Sequence, residues 1–257
     1  MHEGSDDKLT RSQQIATELR EAIEGGTYPP GSKLPSQRDL SRTYGVARNT
    51  VDEALKTLGQ QGLVTSEWGR GVFVREKKPL IRLGSDRYSP RHRSTGLSPF
   101  LLECAKQGKR GRFEVLGVER VKPSTELASQ LNVPTNSKSV LRRENVFYAD
   151  DDPAYRVTTW IPWTIAKGTT ITEEDAGHPF GIHGILEERG YVMSRISDEI
   201  SARMPTQDER RYLNLPVGVP VLEVLHASLD QNGTTYEVTR FVMRADMNGL
   251  HYNAPVE

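Results

Sequence analysis

A single cysteine, Cys104, stands in 257 residues. That excludes an internal disulfide framework and a cysteine-built zinc site, and it fits a reducing compartment. Long apolar runs are also missing: nowhere does the chain approach the roughly 18 consecutive apolar residues of a membrane span. The opening residues, MHEGSDDKLTRSQQ, are polar and carry no apolar signal core, so the protein is expected in the cytoplasm, without membrane contact. Histidine is sparse, and His92, His178, His226 and His251 show no metal-ligand spacing; no metal or cofactor is assigned. Net charge is absent too, with 34 basic against 34 acidic side chains. The zero conceals an asymmetry. Residues 1–93 hold 16 Lys/Arg against 12 Asp/Glu, leaving 18 against 22 beyond them. A basic part joined to an acidic part is the pattern of a nucleic-acid reader carrying a sensing or assembly domain, although an unevenly charged solvated surface gives the same sum.

What is present is periodic. Ile15, Leu19, Ala22 and Ile23 recur at three and four, which predicts a helix over residues 11–24 that Gly25-Gly26 ends. Ser36 is placed to cap a second short helix, with Asp39 at its third position and Gly45 as its stop. A third helix opens at Arg48-Asn49-Thr50 and turns Val51, Ala54, Leu55 and Leu58 inward. Beyond Gly62 the period changes to two, with short β-type runs on either side of Glu67-Trp68-Gly69-Arg70. Three helices and a hairpin within so short a stretch predict a winged helix-turn-helix over residues 1–76. Residues 77–96 are basic and turn-rich and read as a linker, although Leu80, Ile81 and Leu83 are also fit to pair as a strand. Over residues 97–257, extended runs at 112–121, 139–148, 155–161, 196–202, 221–229 and 236–244 alternate with helical ones at 124–131 and 182–189. The fold class is therefore α+β, with a mostly antiparallel sheet in the second half.

LPSQRDLSRTYGVARNTVDEAL, followed by LGQQGLV and GRGVFV, resembles the GntR family of bacterial transcription regulators over roughly residues 9–75. The resemblance implies that the third helix enters the major groove and the wing follows the minor groove. Arg48, Asn49 and Thr50 then sit at base edges, where Arg suits guanine and Asn suits adenine. It also implies that Arg38 reaches the groove and that Ser36 bonds a phosphate, against the plainer reading of Ser36 as a helix cap. Gly69 and Gly71 let the wing backbone approach closely, and Arg70 suits a narrow, negative groove. Asp52 stands where many relatives carry Arg. An acid there either faces cytosine or pairs with a neighbouring basic side chain. One winged module contacts too little DNA for regulatory affinity, so a homodimer on a pseudo-palindromic operator is expected, associated with the nucleoid.

The second half resembles the UTRA effector domain of HutC-type GntR regulators. The landmarks, in order, are ELASQL from Glu126, ADDDP ending at Pro153, MPTQDE from Met204 and the hairpin closing at Asp246. The family implies a chorismate-lyase-like fold, sheet-mediated dimers and a small-molecule pocket. Positions that carry a pair of Arg in members sensing phosphorylated amino sugars are here Asn145 and Phe147, on one strand face with Arg143. The family's other contacts map onto His183, onto Glu237, which keeps the family's acid, and onto Met243. Arg87, Tyr88 and Ser89 match the stretch that lines the pocket and leads back towards the wing.

The effector is therefore expected to be larger, flatter or more apolar than a sugar phosphate. Against this stand plainer readings: Phe147 and Met243 as mere filling, Glu237 as a cross-strand ion-pair residue, and residues 87–89 as solvated linker. Three functions are compatible with this architecture: an effector-responsive repressor, an effector-free autoregulatory or plasmid-control repressor, and a lyase-like enzyme. No nucleophile–base pairing, Gly-rich phosphate loop or cofactor-lysine motif supports the last.

Overall fold

A computed structural model of the protein describes residues 9–75, 79–82, 84–216 and 218–253. The chain divides into two compact units, the first formed by the residues before 79 and the second by most of the chain from Pro79 onward.

In the first unit, α1 (Arg11–Glu24) begins in a capping box, Thr10 with Gln13, which satisfies two otherwise unpaired backbone N–H groups. α2 (Gln37–Tyr44) starts at Ser36 and stops at Gly45, whose φ of 63° lies in the left-handed region. α3 (Arg48–Gln60) follows after three residues. β1 (Val64–Glu67) and β2 (Gly71–Val74) pair antiparallel, Val64 opposite Val74. The segment before α2 adds to this wing, with Leu34 N–H donating to Val72 C=O at 2.8 Å. The apolar stripes meet in one core of Ile15, Ala16, Leu19, Leu34, Leu40, Val51, Ala54, Leu55, Leu58, Val64 and Val74. Every inward position expected of the third helix is in it, and the unit is a winged helix-turn-helix.

The second unit starts with β3 (Leu80–Arg82), parallel to the last strand, β10 (Asn248–Leu250). Between them come α4 (Pro99–Lys106), β4 (Gly111–Val121), α5 (Thr125–Leu131), β5 (Val140–Ala149), β6 (Asp152–Pro162), α6 (Trp163–Ala166), α7 (Ile182–Glu188), β7 (Arg195–Arg203), α8 (Gln207–Tyr212), β8 (Val221–Leu229) and β9 (Thr235–Arg244). The six long strands form one antiparallel sheet in the order β4-β5-β6-β9-β8-β7. Its register sets one polar row across five strands: Arg143 opposite Thr159, Thr159 opposite Thr239, Thr239 opposite His226, and His226 opposite Asp198. Side chains alternate between faces along a strand, so this row and the residues two positions away from it share one side of the sheet.

Within the stretch expected to be a linker, Leu80, Arg82, Arg87 and His92 are buried, whereas Arg91 and residues 93–96 are exposed. Leu80 and Ile81 pair as a strand; Leu83 and residues 76–78 lie outside the described residues. Two 3₁₀ turns follow, Gly84–Tyr88 and Pro90–Thr95. Three basic side chains of the stretch are paired, Arg87 with Glu103, Arg91 with Asp86 and Arg93 with Glu187. The acids that neutralise this stretch come largely from elsewhere in the chain, a relation that local composition does not reveal.

Candidate functional sites

In the first unit, the start of α3 is built for exposure. Val51, Ala54, Leu55 and Leu58 anchor the buried face, which turns Arg48 and Asn49 outward and leaves Thr50 half-buried. Ala47 precedes the helix with no side-chain cap, so its first-turn N–H groups and positive dipole end are open to anions. Among the described residues, Arg38, Arg48 and Asn49 form no side-chain hydrogen bond or ion pair. Ser36 behaves differently. It accepts from Asp39 N–H at 3.2 Å and donates its hydroxyl to Asp39 Oδ2 at 2.6 Å, so in this structure it is a helix cap.

Asp52 also has partners. Its Oδ1 accepts from Gln37 Nε2 at 3.1 Å and its Oδ2 lies 2.8 Å from Lys56 Nζ. Of the two roles expected for it, the structure displays pairing with a neighbouring basic side chain. In the wing, Gly69 and Gly71 take φ of 73° and 117°, and a Cβ on Gly71 would come within 2.7 Å of the Lys33 side chain. Arg70 folds onto Glu67, its guanidinium carbon 5.4 Å from the centre of the Phe73 ring. Trp68, at the tip, is wholly exposed.

The second unit encloses a cavity of about 280 Å³ on the polar-row side of the sheet. Its floor is Arg143, Asn145 and Phe147 of β5, Val157 and Thr159 of β6, and Glu237, Thr239 and Phe241 of β9. Residues 174–178 and the start of α7 close one side, and Arg87 and Tyr88 another. Phe100 meets Phe147 edge-on at 4.9 Å, and Phe113 lies 5.5 Å from the same ring. The close approach of His178 to α7 depends on Gly184, because a Cβ there would fall 1.9 Å from the His178 ring.

Glu237 is 2% exposed. One oxygen accepts from Ser228 at 3.1 Å, the other from Thr239 at 2.7 Å. Ser228 continues to His226 Nε2 at 3.1 Å, His226 Nδ1 to Asp198 at 2.5 Å, and Asp198 to the Tyr252 hydroxyl at 2.7 Å. His183 Nδ1 lies 3.4 Å from Glu237 Oε2, and Tyr88 lies between two imidazoles, 5.0 Å from that of His183 and 5.2 Å from that of His226. Burial, only partly offset by Glu237, holds the His183 pKa below the ordinary histidine value, which favours the neutral ring.

Comparison with known proteins agrees with both halves. Residues 11–74 match the family of bacterial regulatory proteins called the gntR family, and residues 106–248 match the UTRA domain. The HTH-type transcriptional regulator SCO4628 of Streptomyces coelicolor is 31% identical over 90% of this chain and 87% of its own length. The chain belongs to the GntR family. The mannosyl-D-glycerate transport/metabolism system repressor MngR of Escherichia coli is 28% identical, covering 91% of each chain. A solved GntR-family transcriptional regulator superimposes with a TM-score of 0.61 at 27% identity, over 97% of this chain and 99% of its own. This GntR-family protein is accordingly a DNA-binding transcription regulator with a UTRA effector-binding domain, and its relatives are regulators rather than enzymes.

Of the residues that the sequence assigned to an effector, Arg87, Tyr88, Arg143, Asn145, Phe147, His183 and Glu237 line the cavity. Two do not. Met243 continues the alternation of Glu237, Thr239 and Phe241, but it is wholly buried in an apolar cluster with Phe100, Tyr155 and Phe241. Ser89 opens on a separate groove beside Asp86 and Arg91. Arg143 lines the cavity yet donates to the backbone carbonyls of Ile171, Glu173 and Glu174, fastening the segment that precedes α7. Sequence reading missed Asp198, His226 and Ser228 behind Glu237. Their signal was an alternation of polar residues, 226 and 228 against 237 and 239, in strands otherwise read as apolar.

Proposed function

We propose that this regulator is a cytoplasmic, homodimeric, nucleoid-associated repressor that reads a pseudo-palindromic operator and changes its affinity for it when a small effector occupies the cavity over the sheet. In this reading Arg48, Asn49, Thr50 and Arg38 meet base edges, Arg70 with Gly69 and Gly71 follows the minor groove, and Ser36 turns its hydroxyl from Asp39 to a phosphate. Arg87, Tyr88, Asn145, Phe147, His183 and Glu237 hold the effector. The observation that carries the proposal is the cavity itself. A concave space whose lining combines aromatic side chains, among them Phe100, Phe113, Phe147 and Phe241, with a few convergent polar groups is the usual form of a small-molecule site. It borders Arg87 and Tyr88, on the stretch of chain that follows the winged unit.

An effector acts only through unequal affinity for the two arrangements of the dimer. Footprinting the regulator on the DNA upstream of its own gene tests the reading. Two protected half-sites centred about one or two helical turns apart, released as a bound metabolite is added, are expected. Protection that no cavity ligand alters would exclude the effector role and leave an abundance-controlled repressor.

A further inference from the structure

The cavity has a charge balance as well as a shape. Three acidic residues line it, the buried Glu237 and the exposed Glu174 and Asp175, with two arginines, Arg87 and Arg143. Both guanidiniums already have partners, although Arg87 keeps a buried Nε that has none among the described residues. Arg87 bonds Glu103 at 2.8 Å, both side chains buried, and Arg143 is occupied with three backbone carbonyls. A third buried guanidinium, Arg82, lies over the Phe241 ring, 4.1 Å from its centre, outside the cavity wall.

The deep end of the cavity offers acceptors. Each oxygen of Glu237 takes one hydroxyl hydrogen and keeps a second lone pair. His183 Nδ1 beside it is buried without a hydrogen-bond partner. If that nitrogen carries the proton and points it at Glu237, the ring presents Nε2 as an acceptor; if it does not, two acceptors face each other. A buried carboxylate is stabilised most by an opposite charge that also donates hydrogen bonds. Phe113 and Phe147, also in the lining, offer apolar ring surface to the body that carries the charge. A phosphorylated sugar needs the reverse: several unspent N–H donors and few carboxylates.

We propose that the effector is an organic cation, a protonated amine or amidine on a flat apolar body, with its charged end at Glu237 and its body against Phe113 and Phe147. This rests on the reading of the cavity as the effector site. The test uses the full chain, with 2-phenylethylamine, tryptamine and agmatine as cationic probes, 2-phenylethanol and tryptophol as neutral counterparts, and glucose 6-phosphate as the anionic sugar.

In calorimetry and thermal unfolding, the expected result is that at least one amine binds and raises the melting temperature. Any aromatic amine that binds should do so at least tenfold more tightly than its alcohol. That preference should collapse in Glu237→Gln, which keeps the size of the side chain. Should that variant fail to fold, the amine-to-alcohol ratio of the wild type decides alone, and Phe113→Ala, on a partly exposed ring, should weaken aromatic amine and alcohol together. Equal affinity of amine and alcohol, absence of binding by every amine, or binding of glucose 6-phosphate in their place would overturn the proposal. The two readings fail differently. Glucose 6-phosphate that binds and shifts operator affinity refutes the cation and keeps the effector site. An amine that binds through Glu237 without changing operator affinity keeps the cation and refutes the effector role.

Discussion

Asp198 Oδ1 lies 2.5 Å from Nδ1 of His226, and the two side chains are 5% and 0% exposed. Burial alone would raise the Asp198 pKa. The hydrogen bond and charge of His226, the charge of Arg82 and the Tyr252 hydroxyl outweigh burial and bring it down to about 2. The unfolded chain therefore binds more protons than the folded one between about pH 4 and pH 2. The stabilisation is complete above that window and is lost as the pH falls through it. Glu209, held at about 2 mainly by its hydrogen bonds from Arg203, loses its contribution in the same direction. On the order of 2 kcal/mol should disappear from the Asp198 site alone. Denaturant midpoints measured from pH 5 to pH 2 should fall, and less steeply in Asp198→Asn than in the wild type. Parallel profiles would show that this carboxylate is not held as described.

Asp52 neutralises Lys56 on the outward side of α3 and accepts from Gln37 of α2. Replacing it with Asn frees one cation beside the DNA. Each phosphate neutralised steepens the dependence of log affinity on log salt by roughly 0.9. Asp52→Asn should therefore bind unrelated duplex more tightly, with a steeper slope by about one counterion, and discriminate less between operator and competitor. Anisotropy titrations across a salt series measure all three. An unchanged slope with weaker operator binding would instead mark Asp52 as a direct base contact.

Trp68 stands wholly exposed at the wing tip, two residues before Arg70, which is folded onto Glu67. If the wing enters a groove, Arg70 must leave Glu67 and the indole must lose water. Operator binding should change the tryptophan emission, and Trp68→Phe should abolish the change, leaving the signals of Trp160 and Trp163 unaltered. Glu67→Gln should tighten binding by no more than about fivefold, because an exposed ion pair is worth at most about 1 kcal/mol. An emission change that persists in Trp68→Phe would place the wing away from the DNA.

The winged unit was legible because its signals are local. Helix stripes at three and four, the Ser36 cap with Asp39 and the glycines of the wing each act within a few residues, and the core they specify is the one observed. The strands of the second unit were legible for the same reason, through alternation and turn residues. Three things were not. The parallel pairing of Leu80–Arg82 with Asn248–Leu250 joins segments far apart in sequence and three residues long, too short for a period to show. The basic stretch before Gly96 looked solvated because Glu103 and Glu187, which neutralise parts of it, lie elsewhere in the chain. The cavity's deep polar chain depends on register, which sets Asp198, His226 and Thr239 in one row; no single strand carries that information. Met243 shares the face of Glu237 but lies outside the cavity lining, because alternation gives the face of a strand and not how far along it a cavity runs.

The claim on which the regulator reading turns is that the first turn of α3 reads bases. The direct measurement is the affinity of the wild type and of Arg48→Ala for the footprinted operator and for a scrambled duplex at one salt concentration. Arg48 is exposed and, among the described residues, makes no side-chain hydrogen bond or ion pair, so thermal stability should not change. A bidentate contact to a base is worth about 1–3 kcal/mol. The predicted result is a loss of roughly ten- to a hundredfold on the operator, with a much smaller loss on the scrambled duplex. Equal affinity of the two proteins for the operator would contradict the account.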